Sequence, residues 1–121
     1  MPLRMQRSSS SSVRVYWLDR NEAVRRVRQA VEALKRQHTE IERVILFGSL
    51  VRGDAVPGSD ADIMIVLSES TLPWRDRRVR YTPENVGMDM DVFAYTQAEL
   101  EDLLRSGNSF VSSALRDGME L

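Results

Sequence analysis

No cysteine occurs among the 121 residues. A disulfide framework and a thiolate zinc site are therefore excluded, and the absence fits a reducing cytoplasm. Histidine is nearly absent too. The single one, His38, falls at the end of an expected helix, where a cap or dipole role is the ordinary explanation, so it is not assigned as a base. No apolar run approaches the length of a membrane span. The N-terminus is basic but lacks the apolar core of a secretory signal, so none is expected. An excess of positive charge is also missing. Lys and Arg number 17 against 18 Asp and Glu, a net charge of -1, which gives no general nucleic-acid-binding surface. No internal repeat is found. What remains is 42% hydrophobic and 29% charged, an ordinary globular composition with enough chain for one small core.

The chain reads as a tail, 1–12, followed by a single domain, 13–121. The tail ends in the run Ser8–Ser12 and is expected to be disordered. Residues 13–18 read as a short strand or an ordered lead-in. Asp19 with Glu22 is an acidic form of the capping box, and Val24, Val27, Val31 and Leu34 recur at helical spacing, so a helix is expected over 19–37. Its Arg25, Arg26, Arg28, Lys35 and Arg36 fall mostly off that stripe, as a solvated face. Val44–Phe47 is a continuous apolar run, expected of a strand buried on both faces. Gly48 or Ser49 opens a short helix that ends near Gly53, and Pro57-Gly58 marks a turn. Ala61, Ile63, Ile65 and Leu67 alternate with Asp60, Asp62, Met64 and Val66, which is strand periodicity. A polar connection over 68–85 contains a short basic helix, Trp74–Tyr81. Met88, Met90, Val92 and Ala94 alternate with Asp89, Asp91, Phe93 and Tyr95 in another strand. Thr96 and Glu99 cap a helix with Leu100, Leu103 and Leu104 on its apolar face. Gly107-Asn108 breaks it, and Phe110, Val111, Ala114 and Leu115 give a last short helix.

Two features carry chemistry. Asp60 and Asp62, two apart on a strand, share a face with alpha carbons about 6.5–7 Å apart. Such a pair suits Mg²⁺, which takes carboxylate oxygens together with substrate phosphates. Two such ions would stabilise both the attacking and the leaving oxygens of an in-line displacement. A third carboxylate would come from the neighbouring strand, from Asp91 or Asp89. An isolated D-x-D is most often just two exposed polar positions. Here a second acidic pair lies on an adjacent strand, and the four would repel one another unless compensated. Gly48-Ser49 follows a buried strand and opens a helix, where free N–H groups and the helix dipole favour a phosphate. Alone it would be a plain turn; its spacing to D-x-D sets it apart. Arg52 could contact phosphate or pair with Asp54. Ser59 could donate to phosphate, with a turn role the safer reading. Trp74 and Tyr81 could stack on a nucleobase, although such residues more often pin a loop to the core.

At these residues the chain resembles the minimal nucleotidyltransferases of the DNA polymerase beta superfamily, whose signature is G-S, ten residues, then D-x-D. Gly48, Ser49, Asp60 and Asp62 match it at full spacing, and LFGSLVRGDA, SDADIMIVL and MDVFAYTQAEL resemble its surroundings over roughly 19–105. The register puts the third aspartate at Asp91, with Asp89 as runner-up. The resemblance implies an α/β (α+β) domain, a small mixed sheet flanked by helices. It implies Mg²⁺-dependent transfer of a nucleoside monophosphate from ATP or another triphosphate to an acceptor hydroxyl, an EC 2.7.7-type reaction. Gly48 and Ser49 would hold the triphosphate, Asp60 and Asp62 the metals, and Asp91 would bind metal and help deprotonate the acceptor. Larger relatives add a domain that shapes the acceptor pocket, and this chain has no room for one. Small proteins of this kind are often paired with a helical HEPN-domain partner as antitoxin and toxin, in some pairs adenylylating a tyrosine of the toxin. The competing expectation is a non-catalytic or weakly catalytic subunit that neutralises such a partner by contact. A plain nucleotide sensor would not need three acids. Base preference, expected to sit in 68–85, and homo-oligomer formation are left open.

Overall fold

A computed structural model describes residues 5–7 and 16–121. The elements in chain order are β1 (Met5–Arg7), β2 (Tyr16–Leu18), α1 (Arg20–Gln37), β3 (Ile41–Phe47), α2 (Ser49–Arg52), β4 (Ala61–Leu67), α3 (Trp74–Tyr81), β5 (Met90–Thr96), α4 (Gln97–Arg105), α5 (Ser109–Asp117) and β6 (Met119–Glu120). The serine run at 8–12 lies outside the described residues. Met5–Arg7, which fell within the expected disordered tail, instead pair antiparallel with Tyr16–Leu18.

Local chemistry explains the helix boundaries. The Asp19 carboxylate accepts the Glu22 N–H at 3.1 Å and so caps α1, while Lys35 and Arg36 in its last turn complement the helix dipole. The stripe that α1 buries is Ala23, Val27, Val31 and Leu34, with Val24 at its margin. Thr96 and Glu99 form the expected reciprocal capping box of α4. Asn108, past the break after α4, caps α5 by accepting the Val111 N–H at 2.9 Å.

Four strands form one mixed sheet in the order β5-β4-β3-β6. β4 runs parallel to β5 and antiparallel to β3, and β3 runs antiparallel to β6. One face packs on α1 and on Tyr81 of α3, through Val44, Leu46, Ile63, Ile65 and Val92. The other packs under α4 and α5, through Ile45, Met64, Val66, Leu100, Val111 and Ala114. Cover on both faces is why β4 reads as an almost unbroken apolar run after Asp62.

Two strand boundaries differ from the alternation pattern. β5 begins at Met90, not Met88, because Gly87 turns the chain at φ 85° and pairing starts with the Ala61 N–H donating to the Asp89 carbonyl. β6 has no periodicity because it has two residues. It is fixed by Gly118, where a Cβ would collide with the Ala114 carbonyl and Ile45, and by the ion pair of Arg43 with Glu120 at 2.8 Å. Among the described residues no helix is long and apolar enough to cross a membrane.

Candidate active site

β3 ends at Phe47, which lies opposite Asp62 of β4 in the antiparallel register. The next residue must turn sharply into α2 while passing over that carboxylate. Gly48 does so at φ 83°, in the left-handed region that favours glycine, and a Cβ there would collide with Asp62 Oδ2. Gly48 is thus required twice, by its conformation and by its contact with an acid.

α2 is only one turn long, so packing must hold it. Its Leu50 is fully buried, and Gly53 ends it in the left-handed conformation at φ 86°. Arg20, at the start of α1, donates Nε to the Leu50 carbonyl at 2.7 Å and Nη2 to the Val51 carbonyl at 3.2 Å. This arginine was missed in the sequence because its partners lie 30 and 31 residues away, beyond any local pattern. The first internal bonds of α2 run from Val51 and Arg52 to the Gly48 carbonyl, which leaves the Ser49 N–H and hydroxyl at the helix mouth.

The acids gather around Asp62. Its register partner on β5 is Asp91, so the two carboxylates project from one face of adjacent parallel strands. Asp60 lies just ahead of β4, not on it, and is exposed. Burial pushes the Asp62 carboxyl above the usual carboxylate range, Asp91 and then Asp60 add to this by repulsion, and Arg52 opposes it. Asp91 does not stand free: Arg78 of α3 pairs with it at 2.9 Å. Asp89 is exposed at the approach to β5 and contributes its backbone carbonyl to the sheet. No three acidic, histidine or cysteine side chains among the described residues are gathered tightly enough to cage an ion. The donor chemistry nonetheless suits a hard divalent cation, since the acids are oxygen donors whose mutual repulsion a cation would relieve.

The remaining expected positions divide. Arg52 pairs with Asp54 at 3.3 Å and also acts on Asp62 through its charge, so both of its readings have support. The Ser59 hydroxyl accepts the Val56 N–H at 3.0 Å, a turn role. Tyr81 is buried and donates to Glu40 at 2.6 Å, which pins its segment to the core. Trp74 packs on Tyr95 with centroids 4.8 Å apart.

A cleft of about 810 Å³ opens beside Asp62, within the roughly 300–1,000 Å³ range of small-molecule sites. Gly48, Arg52 and Asp62 form one wall; Ser109, Phe110, Ser113 and Arg116 of α5 form the other. The α5 wall was not foreseen. Its signal in the sequence is a serine and arginine face at helical spacing opposite the buried Val111 and Ala114.

The family model for the nucleotidyltransferase domain matches residues 27–115, a span that contains Gly48, Asp60, Asp62, Asp91 and the α5 wall as far as Ser113. The chain belongs to this nucleotidyltransferase family. Its fold is shared with the crystal structure of a provisionally assigned nucleotidyltransferase from Sulfolobus solfataricus, at 23% identity and a TM-score of 0.54, over 69% of this chain and 75% of that one. No curated protein matches the chain significantly. Nucleotidyl transfer is accordingly the chemistry against which the cleft and its acids are to be read.

Proposed function

We propose that this chain is a Mg²⁺-dependent nucleotidyltransferase, EC 2.7.7 in type, that transfers AMP from ATP to a hydroxyl of a partner protein in the cytoplasm. The observation that carries the reading is the packing of the Gly48 turn directly over Asp62, with Asp91 in register beside it. The Gly48 turn and Asp62 line one cleft, and Asp91 stands beside Asp62 on the neighbouring strand.

In this reading Gly48, the Ser49 N–H and hydroxyl, and Arg52 hold the triphosphate. Ser59 supports the turn. Asp60, Asp62 and Asp91 would hold Mg²⁺, two ions in the family pattern, whose role is to neutralise charge on the phosphates and on the attacking and leaving oxygens. The acceptor oxygen forms a bond to the α-phosphorus, the bond to the bridging oxygen breaks, and pyrophosphate leaves. The acceptor's proton passes to the Asp91 carboxylate, which requires Arg78 to let go of it.

The acceptor is expected to be a helical HEPN-type protein, with this chain as the antitoxin. A second reading, a binding subunit with little or no catalysis, is favoured by the Arg78–Asp91 pair, which occupies the third carboxylate. One experiment separates them: incubation with labelled ATP, Mg²⁺ and the protein encoded by the neighbouring gene, repeated with Asp60→Asn/Asp62→Asn. The enzyme predicts label on the partner that the variant loses. A tight, unlabelled complex with both proteins would favour the binding subunit.

A further inference from the structure

We infer that Phe110 is the stacking platform for the nucleobase of the bound triphosphate. This rests on the nucleotidyltransferase reading and adds a residue to it on an element outside the Gly-Ser and Asp-x-Asp signature.

Phe110 lies in the first turn of α5, but α5 is held to the sheet by Val111 and Ala114, not by this ring. The Phe110 ring meets Phe47 edge-on, with centroids 5.5 Å apart, and tilts against Phe93 at 5.0 Å. Both neighbours adjoin the acids: Phe47 is the register partner of Asp62, and Phe93 follows Asp91 by two residues on the same face. Despite these contacts Phe110 stays 42% exposed, and it lines the cleft opposite Gly48 and Asp62.

An aromatic ring braced on two sides and open to a phosphate cleft offers a rigid π-face at the distal wall. Stacking on such a face is tolerant of base identity, because every base has a π-face. The aromatics of the 68–85 connection cannot take this role in the same cleft. Tyr81 is buried, and Trp74 packs on Tyr95 outside the cleft lining. Phe110 therefore supplies base affinity with little base selection, and ATP and GTP should bind within a few-fold of each other.

Calorimetry with two probes tests this, a non-hydrolysable ATP analogue and inorganic tripolyphosphate, each with Mg²⁺. Phe110→Leu keeps an apolar side chain against Phe47 and Phe93 but removes the ring. It should weaken the analogue roughly 5- to 150-fold, the range for loss of one base–aromatic stack, and leave tripolyphosphate within about twofold, which also reports an intact cleft. Phe110→Trp should restore the analogue. Equal weakening of both probes, or no change in either, overturns the proposal. Wild-type protein that binds tripolyphosphate as well as the analogue overturns it while leaving the nucleotidyltransferase reading intact. Wild-type protein that binds neither overturns that reading as well.

Discussion

At the residue scale the site is a compromise between stability and chemistry. Asp62 is kept partly buried beside two other acids, and its raised pKa shows that the folded protein resists its ionisation. A folded-state pKa above the unfolded value of about 3.8 means that stability is greatest below that pH and declines as pH rises through the folded pKa. Asp62→Asn should therefore raise stability at neutral pH, read as a higher denaturation midpoint than the wild type. Its advantage should vanish below about pH 4, where Asp62 of the wild type is protonated in both states. Chemical denaturation of both proteins across pH checks this, and the variant should also lose nucleotidyl transfer. Gly48→Ala should act in the opposite sense. The positive φ and the collision with Asp62 should cost about 1–3 kcal/mol, read as a lower melting temperature, together with loss of triphosphate binding.

At the element scale, the pieces around the site are tied by a few long-range polar contacts. Arg77 of α3 is buried and meets Glu99 of α4 at 2.5 and 3.2 Å, while donating to the carbonyls of Leu72 and Ala94. Glu99 also closes the α4 capping box, and the neighbouring guanidinium holds its carboxyl below the usual range. Glu99→Ala should cost about 2–3 kcal/mol by stranding a buried charge and opening the cap, measured as a fall in the denaturation midpoint. Glu99→Gln should recover part of it. These contacts also explain what could be read from the sequence. The helices with caps and apolar stripes, α1 and α4, were legible because their signals are local. The turn at Gly48 and the alternation leading from Asp60 and Asp62 were legible because spacing carries them. The start of β5, the two-residue β6, the hold of Arg20 on α2, the pairing of Arg78 with Asp91 and the α5 wall were not. Each depends on residues that meet only after the sheet has formed.

For the whole molecule, surface ion pairs and the site pull in opposite directions with pH. Glu22 is lowered to about 2 by Arg25 and Arg26, and Glu99, Glu40 and Glu120 are also lowered by their partners. Depressed carboxyls stabilise the fold above the unfolded range near 4.5 and lose that effect as pH falls through their folded values. Net stability should therefore drop on acidification below about pH 4.5, even as the Asp62 penalty is relieved, because several groups oppose one. A titration of the melting temperature from pH 7 to 2 checks the sign. The central claim, that the cleft performs nucleotidyl transfer, is tested most directly by the position of the label on ATP. With Mg²⁺ and the partner protein, α-labelled ATP should label the acceptor, γ-labelled ATP should not, and one pyrophosphate should appear per group transferred. Label arriving from the γ-position, or none from either with the partner bound, would contradict it.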